Sequence, residues 1–250
     1  MSLCGKALPA RKNAKHEPVD LHRCQLPGNH AGKCQEFGYL DHLKSVAPRV
    51  AAKIKRDATK TTGASWKSED AGPNRISRWK MLLSDDDLLA QGLNMNALKP
   101  WVVAKLRQKA ATYSQCMQVA QYLTWAVYGM QNAPVPDTET KIFLESLYGE
   151  IKNGKTCCII CRAPLNFELF QGARRGRAEI ETAHGNPREH TPGNVGFAHR
   201  HCNIAQGDKD LDAFYDWITG ILERAGRITT HTRDRSLPLD PPKDPRDFEE

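Results

Sequence analysis

Two short Cys/His pairs, about forty residues apart, constrain this chain more than anything else in it. Cys158-x2-Cys161 and His199-x2-Cys202 each have the spacing with which a tight turn offers two ligands to one ion. Together they make a closed Cys3His set of the structural-zinc kind. Between them runs Arg177 to His184, a β-like stretch followed by the turn residues Gly185, Asn186 and Pro187. The pairs predict a short hairpin clamped by zinc to the opening turn of a short helix. Cys157 is an alternative first ligand, although C-x2-C suits a knuckle better than C-x3-C. Such a scaffold would let a strand-terminal His and an Asn face each other across it, an arrangement open to chemistry.

The pieces C-C-I-I-C, I-E-T-A-H-G-N-P and G-N-V-G-F-A-H-R-H-C-N-I-A-Q-G resemble the HNH, or ββα-metal, endonuclease family over about residues 156–222. The resemblance implies an α+β fold with a zinc-stabilised ββα-metal module over residues 153–227. It also implies phosphodiester hydrolysis with one divalent cation, Mg²⁺ or Mn²⁺, and one histidine base. It assigns the base to His184, and the chemistry agrees, because imidazole titrates near neutral pH and accepts a proton from water. It assigns Asn194 to bracing the loop or orienting the base. It assigns Asn203, directly after the last zinc ligand, to the cation, for which an amide oxygen is a suitably hard ligand. Family members usually carry an Asp directly before the base, where this chain has Ala183. Glu181 lies on the same strand face two residues earlier and is the expected carboxylate ligand, through a bulge or a water. His190, Glu189 and Asp208 are further candidates. Gln206 stands where a Lys is common.

The first 36 residues hold a second cluster. Cys4, Cys24, His30 and Cys34 are expected to bind another structural zinc, with Pro27, Gly28 and Gly32 turning the chain between ligands. His16 and His22 compete with Cys4 for the fourth place. A segment so short and polar needs metal to fold, so residues 1–40 read as an N-terminal zinc finger. The cofactors expected are therefore two structural Zn²⁺ and one catalytic Mg²⁺ or Mn²⁺.

Charge points to the partner. Residues 1–80 carry 16 Lys+Arg and 7 Asp+Glu, a net +9, against +7 for the whole chain. A basic first third suits a phosphate backbone, and double-stranded DNA is the expected partner. Arg174, Arg175 and Arg177 before the strand, and His201 between zinc ligands, are candidate phosphate contacts. One-site modules making a double-strand cut imply two copies, hence a homodimer. Cysteines clustered with histidines read as metal ligands rather than disulfides. No run of 18 apolar residues occurs, so a cytoplasmic protein without a membrane span is expected.

The remainder reads as a basic connector over 41–75, a helical region over 76–152 and a flexible tail over 228–250. Ser84 is an N-cap before three aspartates. Pro100 opens a helix whose apolar face, Val102, Leu106, Tyr113, Cys116, Ala120, Leu123, Val127 and Met130, runs unbroken. Another helix spans about 138–152. The bundle is expected to bind DNA or to dimerise. Cys116 is expected to be a buried thiol, and Trp66 and Trp79 are candidates for stacking, although tryptophans at such positions are more often packed against neighbouring helices.

Overall fold

The computed structural model describes residues 3–8, 22–25, 35–61, 76–171 and 178–228. Two helices open the ordered middle of the chain, Asp41–Val46 (α1) and Pro48–Thr59 (α2). Pro48 starts α2 at the first turn, where its missing N–H costs nothing. Val50, Ile54 and Ala58 recur at four-residue spacing and are all buried, each of the larger two contributing about 1.5–3 kcal/mol. The connector expected over 41–75 is thus corrected in its first half. These residues are core, because the Lys and Arg between the apolar positions occupy only the outer face of α2.

Asp85–Ala90 (α3) is capped by Ser84, whose side chain accepts from the Asp87 amide. The long helix expected from Pro100 is two helices, Pro100–Gln108 (α4) and Tyr113–Tyr128 (α5). The signal for the break is a capping box, in which Thr112 and Gln115 bond reciprocally and so end one helix and start another. Thr138–Tyr148 (α6) follows, capped by Asp137. Cys116 is fully buried and its thiol is pushed up to about 12 by burial. Trp79 packs edge-on to Tyr113 with ring centroids 5.3 Å apart.

After Phe167–Gln171 (α7) come the strands Ile180–His184 (β1) and Val195–His199 (β2), then Arg200–Gln206 (α8) and Leu211–Arg224 (α9). β1 begins three residues later than expected. β1 and β2 pair antiparallel, with Ile180 opposite His199 and His184 opposite Val195. One hydrophobic cluster takes in α1, α2, α5, α6, the 158–170 segment, the hairpin and Phe214 of α9. The hairpin therefore shares its core with the helices before it, across the boundary expected at residue 153. A smaller cluster around Met81, Leu88 and Leu106 holds the 76–108 segment together. Among the described residues, no helix is long and apolar enough to cross a membrane.

Candidate active site and zinc cluster

The ligand atoms of Cys158, Cys161, His199 and Cys202 all lie within 4.8 Å of one another. A tetrahedral zinc with Zn–S bonds of 2.3 Å sets its ligands about 3.8 Å apart, so this donor set fits the ion. The first pair sits on a tight turn. The Arg162 amide donates to the Cys158 carbonyl at 2.9 Å, and Arg162 takes the left-handed conformation, φ 62°. The Cys161 amide donates to the Cys158 sulfur at 3.4 Å. His199 caps α8 and thereby places Cys202 on its first turn. Cys157 is not in the cluster; its thiol faces the Lys155 carbonyl at 3.5 Å.

Gly196 explains how the turn docks on the hairpin. A Cβ at this position would meet Ile159 Cγ2 at 2.3 Å, so only glycine lets the Ile159 amide reach the Phe197 carbonyl, at 3.0 Å. His201 stacks on His199, centroids 5.2 Å apart, and its ring lies beside the cluster.

The two faces of β1 lead to different neighbours. Glu181 faces α8. Its carboxylate accepts from Arg200 Nη1 at 3.1 Å and from Asn203 Nδ2 at 2.9 Å. Ala183, on that same face, is buried. His184 is three residues from Glu181 and projects to the opposite face, as does Thr182, whose hydroxyl donates to Asp57 Oδ2 at 3.0 Å. His184 Nε2 lies 3.1 Å from His190 Nδ1, and His190 Nε2 lies 2.8 Å from the Ala58 carbonyl. His190 is 3% exposed, with both ring nitrogens engaged. The expectation of His190 as a cation ligand is corrected on that ground.

The loop between the strands is braced by Asn194. Its Oδ1 accepts from the Asn186 amide at 2.6 Å, and its Nδ2 donates to the Asn186 and Glu189 carbonyls, each at 2.8 Å. Gly185 lies so close that a Cβ there would be 3.0 Å from Asn194 Oδ1. Gln206, buried at the end of α8, donates to the His184 carbonyl at 2.9 Å and so ties helix to strand end.

Residues from the middle of the chain complete the His184 side. Asp57 bonds Lys53 Nζ and Arg56 Nε, each at 2.7 Å. Burial alone would raise its carboxyl, but the two cations outweigh that and hold it below its usual value. Arg78 is 2% exposed and donates to the Asp57 and Lys109 carbonyls, each at 3.0 Å. Burial first, then the charges of Arg78 and Lys109, push the His184 imidazole down to about 3. Asp57, Arg78 and Lys109 escaped the sequence reading. A hint for Arg78 was available only in hindsight, as a cation among the apolar residues Ile76, Trp79 and Met81.

In the N-terminal region, residues 3–8 and 22–25 run antiparallel, the Gly5 amide donating to the Cys24 carbonyl at 3.2 Å and the Cys24 amide to Lys6 at 2.9 Å. This brings Cys4 and Cys24 onto adjoining segments. His22, a rival for the fourth ligand place, is buried with Nδ1 2.7 Å from Glu36. His30, Cys34, Trp66, Arg174, Arg175 and Arg177, and the tail beyond residue 228, lie outside the described residues.

A model of the DraIII family, a restriction endonuclease family, matches residues 36–202. That span is about two thirds of the chain and ends on the last of the four cluster ligands. The chain belongs to the DraIII family. A solved structure, the crystal structure of a type II restriction endonuclease, is similar at 43% identity with a TM-score of 0.77, over 91% of this chain and 100% of that one. No curated protein matches. The DraIII match takes in α2, Arg78, β1 and β2 together, so the helices that complete the His184 side fall within the family region.

Proposed function

We propose that this chain is a site-specific DNA endonuclease of the HNH type, hydrolysing phosphodiester bonds with one divalent cation. The observation that carries the reading is a β1–β2–α8 unit in a restriction endonuclease family member. That unit joins a four-ligand zinc-type cluster, a strand-terminal histidine and an asparagine-braced loop. His184 is the general base. Asn194 holds the loop behind it. Arg78 and Lys109 set positive charge behind His184, which favours an anionic phosphodiester on that side.

Asn203 and Glu181 are the proposed cation ligands, through an amide oxygen and a carboxylate, hard donors that suit Mg²⁺ or Mn²⁺; in this structure the Asn203 amide nitrogen donates to Glu181 Oε2 at 2.9 Å. When bound, the ion would stabilise the charge that builds on the phosphate and leaving oxygen; because Glu181 and His184 lie on opposite faces of β1, ion and base would share one phosphate only around the strand's end. Arg200 gives Glu181 a second use, as the anchor of α8 to β1. Zinc at Cys158, Cys161, His199 and Cys202 fixes the unit, and a second zinc at Cys4, Cys24, His30 and Cys34 stabilises an N-terminal finger. The basic first third, Arg174, Arg175, Arg177 and His201 contact DNA. The enzyme acts in the cytoplasm as a homodimer.

Plasmid incubated with Mg²⁺ tests the whole reading. Linear product with discrete ends is expected. Open circle only would indicate a monomeric nicking enzyme, and unchanged plasmid a DNA-binding protein that has lost catalysis, the reading that buried Ala183 would favour. His184→Ala must abolish the cut while DNA binding and zinc content persist.

A further inference from the structure

His190 takes no part in the chemistry just proposed, yet its Nδ1 lies 3.1 Å from Nε2 of His184. Its own Nε2 lies 2.8 Å from the Ala58 carbonyl. A carbonyl only accepts, so that nitrogen carries a proton. A neutral imidazole has a single N–H, which leaves His190 Nδ1 as an acceptor. His184 Nε2, 3.1 Å away, must then be the donor. The lone pair of His184 is left on Nδ1, and among the described residues no hydrogen bond to that nitrogen is seen. His184 is half-buried rather than sealed.

We propose that His190 is a positioning residue that locks His184 as the Nε2–H tautomer and so presents Nδ1 as the proton acceptor for the attacking water. The proposal rests on His184 being the base. Three features hold the lock in place. Ala58 lies in the last turn of α2, where carbonyls lack intrahelical partners and accept readily. Asn194 grips the Glu189 carbonyl at 2.8 Å, which fixes the backbone directly before His190. Burial, joined by the charges of Arg78 and His184 and opposed by the Ala58 bond, pushes the His190 imidazole well down, to about 2, so at neutral pH its Nδ1 is an acceptor. The lock also makes the base depend on α2, more than 120 residues away in sequence, as the separation of 132 positions between His190 and Ala58 states.

The test is ¹⁵N NMR of the full-length protein labelled at histidine, with the His184 signals assigned by loss in His184→Ala. A proton on Nε2 and none on Nδ1 is expected at pH 7.5; a proton on Nδ1 would overturn the proposal. That reading needs no cleavage, so it stands apart from the assignment of the base, which fails separately if His184→Ala cuts at the wild-type rate. Kinetics supply the second arm. His190→Ala should lower kcat about 10–100-fold, the usual cost of losing an orienting partner, with KM for DNA unchanged and His184 a mixture of tautomers. His190→Asn, whose Oδ1 takes the place of Nδ1 as acceptor, should recover most of kcat. A His190→Ala protein with wild-type kcat, or one whose His184 keeps a single Nε2–H tautomer, would sink the idea. Should His190→Ala fail to fold, the wild-type spectrum decides alone.

Discussion

On one face of β1, Glu181 and Ala183 look onto α8; on the other, Thr182 and His184 look onto α2. The first face is assembled from neighbours in sequence, since Arg200 and Asn203 lie within 22 residues of Glu181. The second is assembled from afar, Thr182 bonding Asp57 across 125 residues and His190 bonding Ala58 across 132. Local spacing can specify a contact within a hairpin and the helix that follows it. A contact with a helix from another part of the chain depends on how the common core docks the two.

The predictions set one face against the other. The largest effect should come from removing the cluster that supports both. Cys161→Ser, or treatment with a strong chelator, should unfold the hairpin and most of the shared core, because structural zinc sites supply about 10–16 kcal/mol. Near-UV circular dichroism and zinc content measure this, and a native spectrum in zinc-free protein would show that packing alone holds the two faces.

His184→Ala should lower the single-turnover cleavage rate by a factor of about 10²–10⁴, with the melting temperature and DNA affinity little changed. Glu181→Ala is the matched change on the other face. A comparable loss, partly restored by raised Mn²⁺, makes Glu181 a cation ligand. A small loss with lowered stability makes it the anchor for Arg200.

Asp57→Ala probes the remote face without removing the proposed base or a proposed cation ligand. It strands Lys53 and Arg56 and leaves the Thr182 hydroxyl without its acceptor. With Lys53 18% and Asp57 11% exposed at the side chain, a cost of about 2–3 kcal/mol is expected, somewhat below that of breaking a fully buried pair. Urea denaturation measures it, and a loss under 0.5 kcal/mol, on the order of an ordinary surface change, would mean the network does not bind α2 to β1.

The pH dependence should be the gentlest effect and should belong to the remote face. His184 and His190 are held near 3 and near 2, below the value of about 6.5 for an unfolded chain. The unfolded chain therefore takes up protons that the folded protein refuses. Their contribution is complete above pH 6.5 and is lost as pH falls toward the folded values, with a slope of up to about 1.4 kcal/mol per pH unit for each histidine. Urea midpoints at pH 7.5 and 5.5 read the slope, and His190→Asn should make it shallower.

Much of the near face was legible. The C-x2-C and H-x2-C spacings anticipated the four-atom cluster; elsewhere Ser84 marked the start of α3 and Asn194 the braced loop. The α4–α5 break was written in Thr112 and Gln115 but was hidden by an apolar stripe that continues in phase on both sides. The N-terminal half of the proposed metal chemistry is represented in the described residues by Cys4 and Cys24 alone.

By itself the sequence determined the ligand spacings, the strand alternation that puts Glu181 and His184 on opposite faces, and the caps that start α3 and α6, since each depends on bonds spanning a few residues. Tertiary structure decided which residues surround His184. Asp57, Arg78 and His190 carry no shared pattern in the chain. They meet because α2 buries Val50, Ile54 and Ala58 in the same core as β1, which leaves the last carbonyls of α2 beside the strand's end to receive Arg78 and His190.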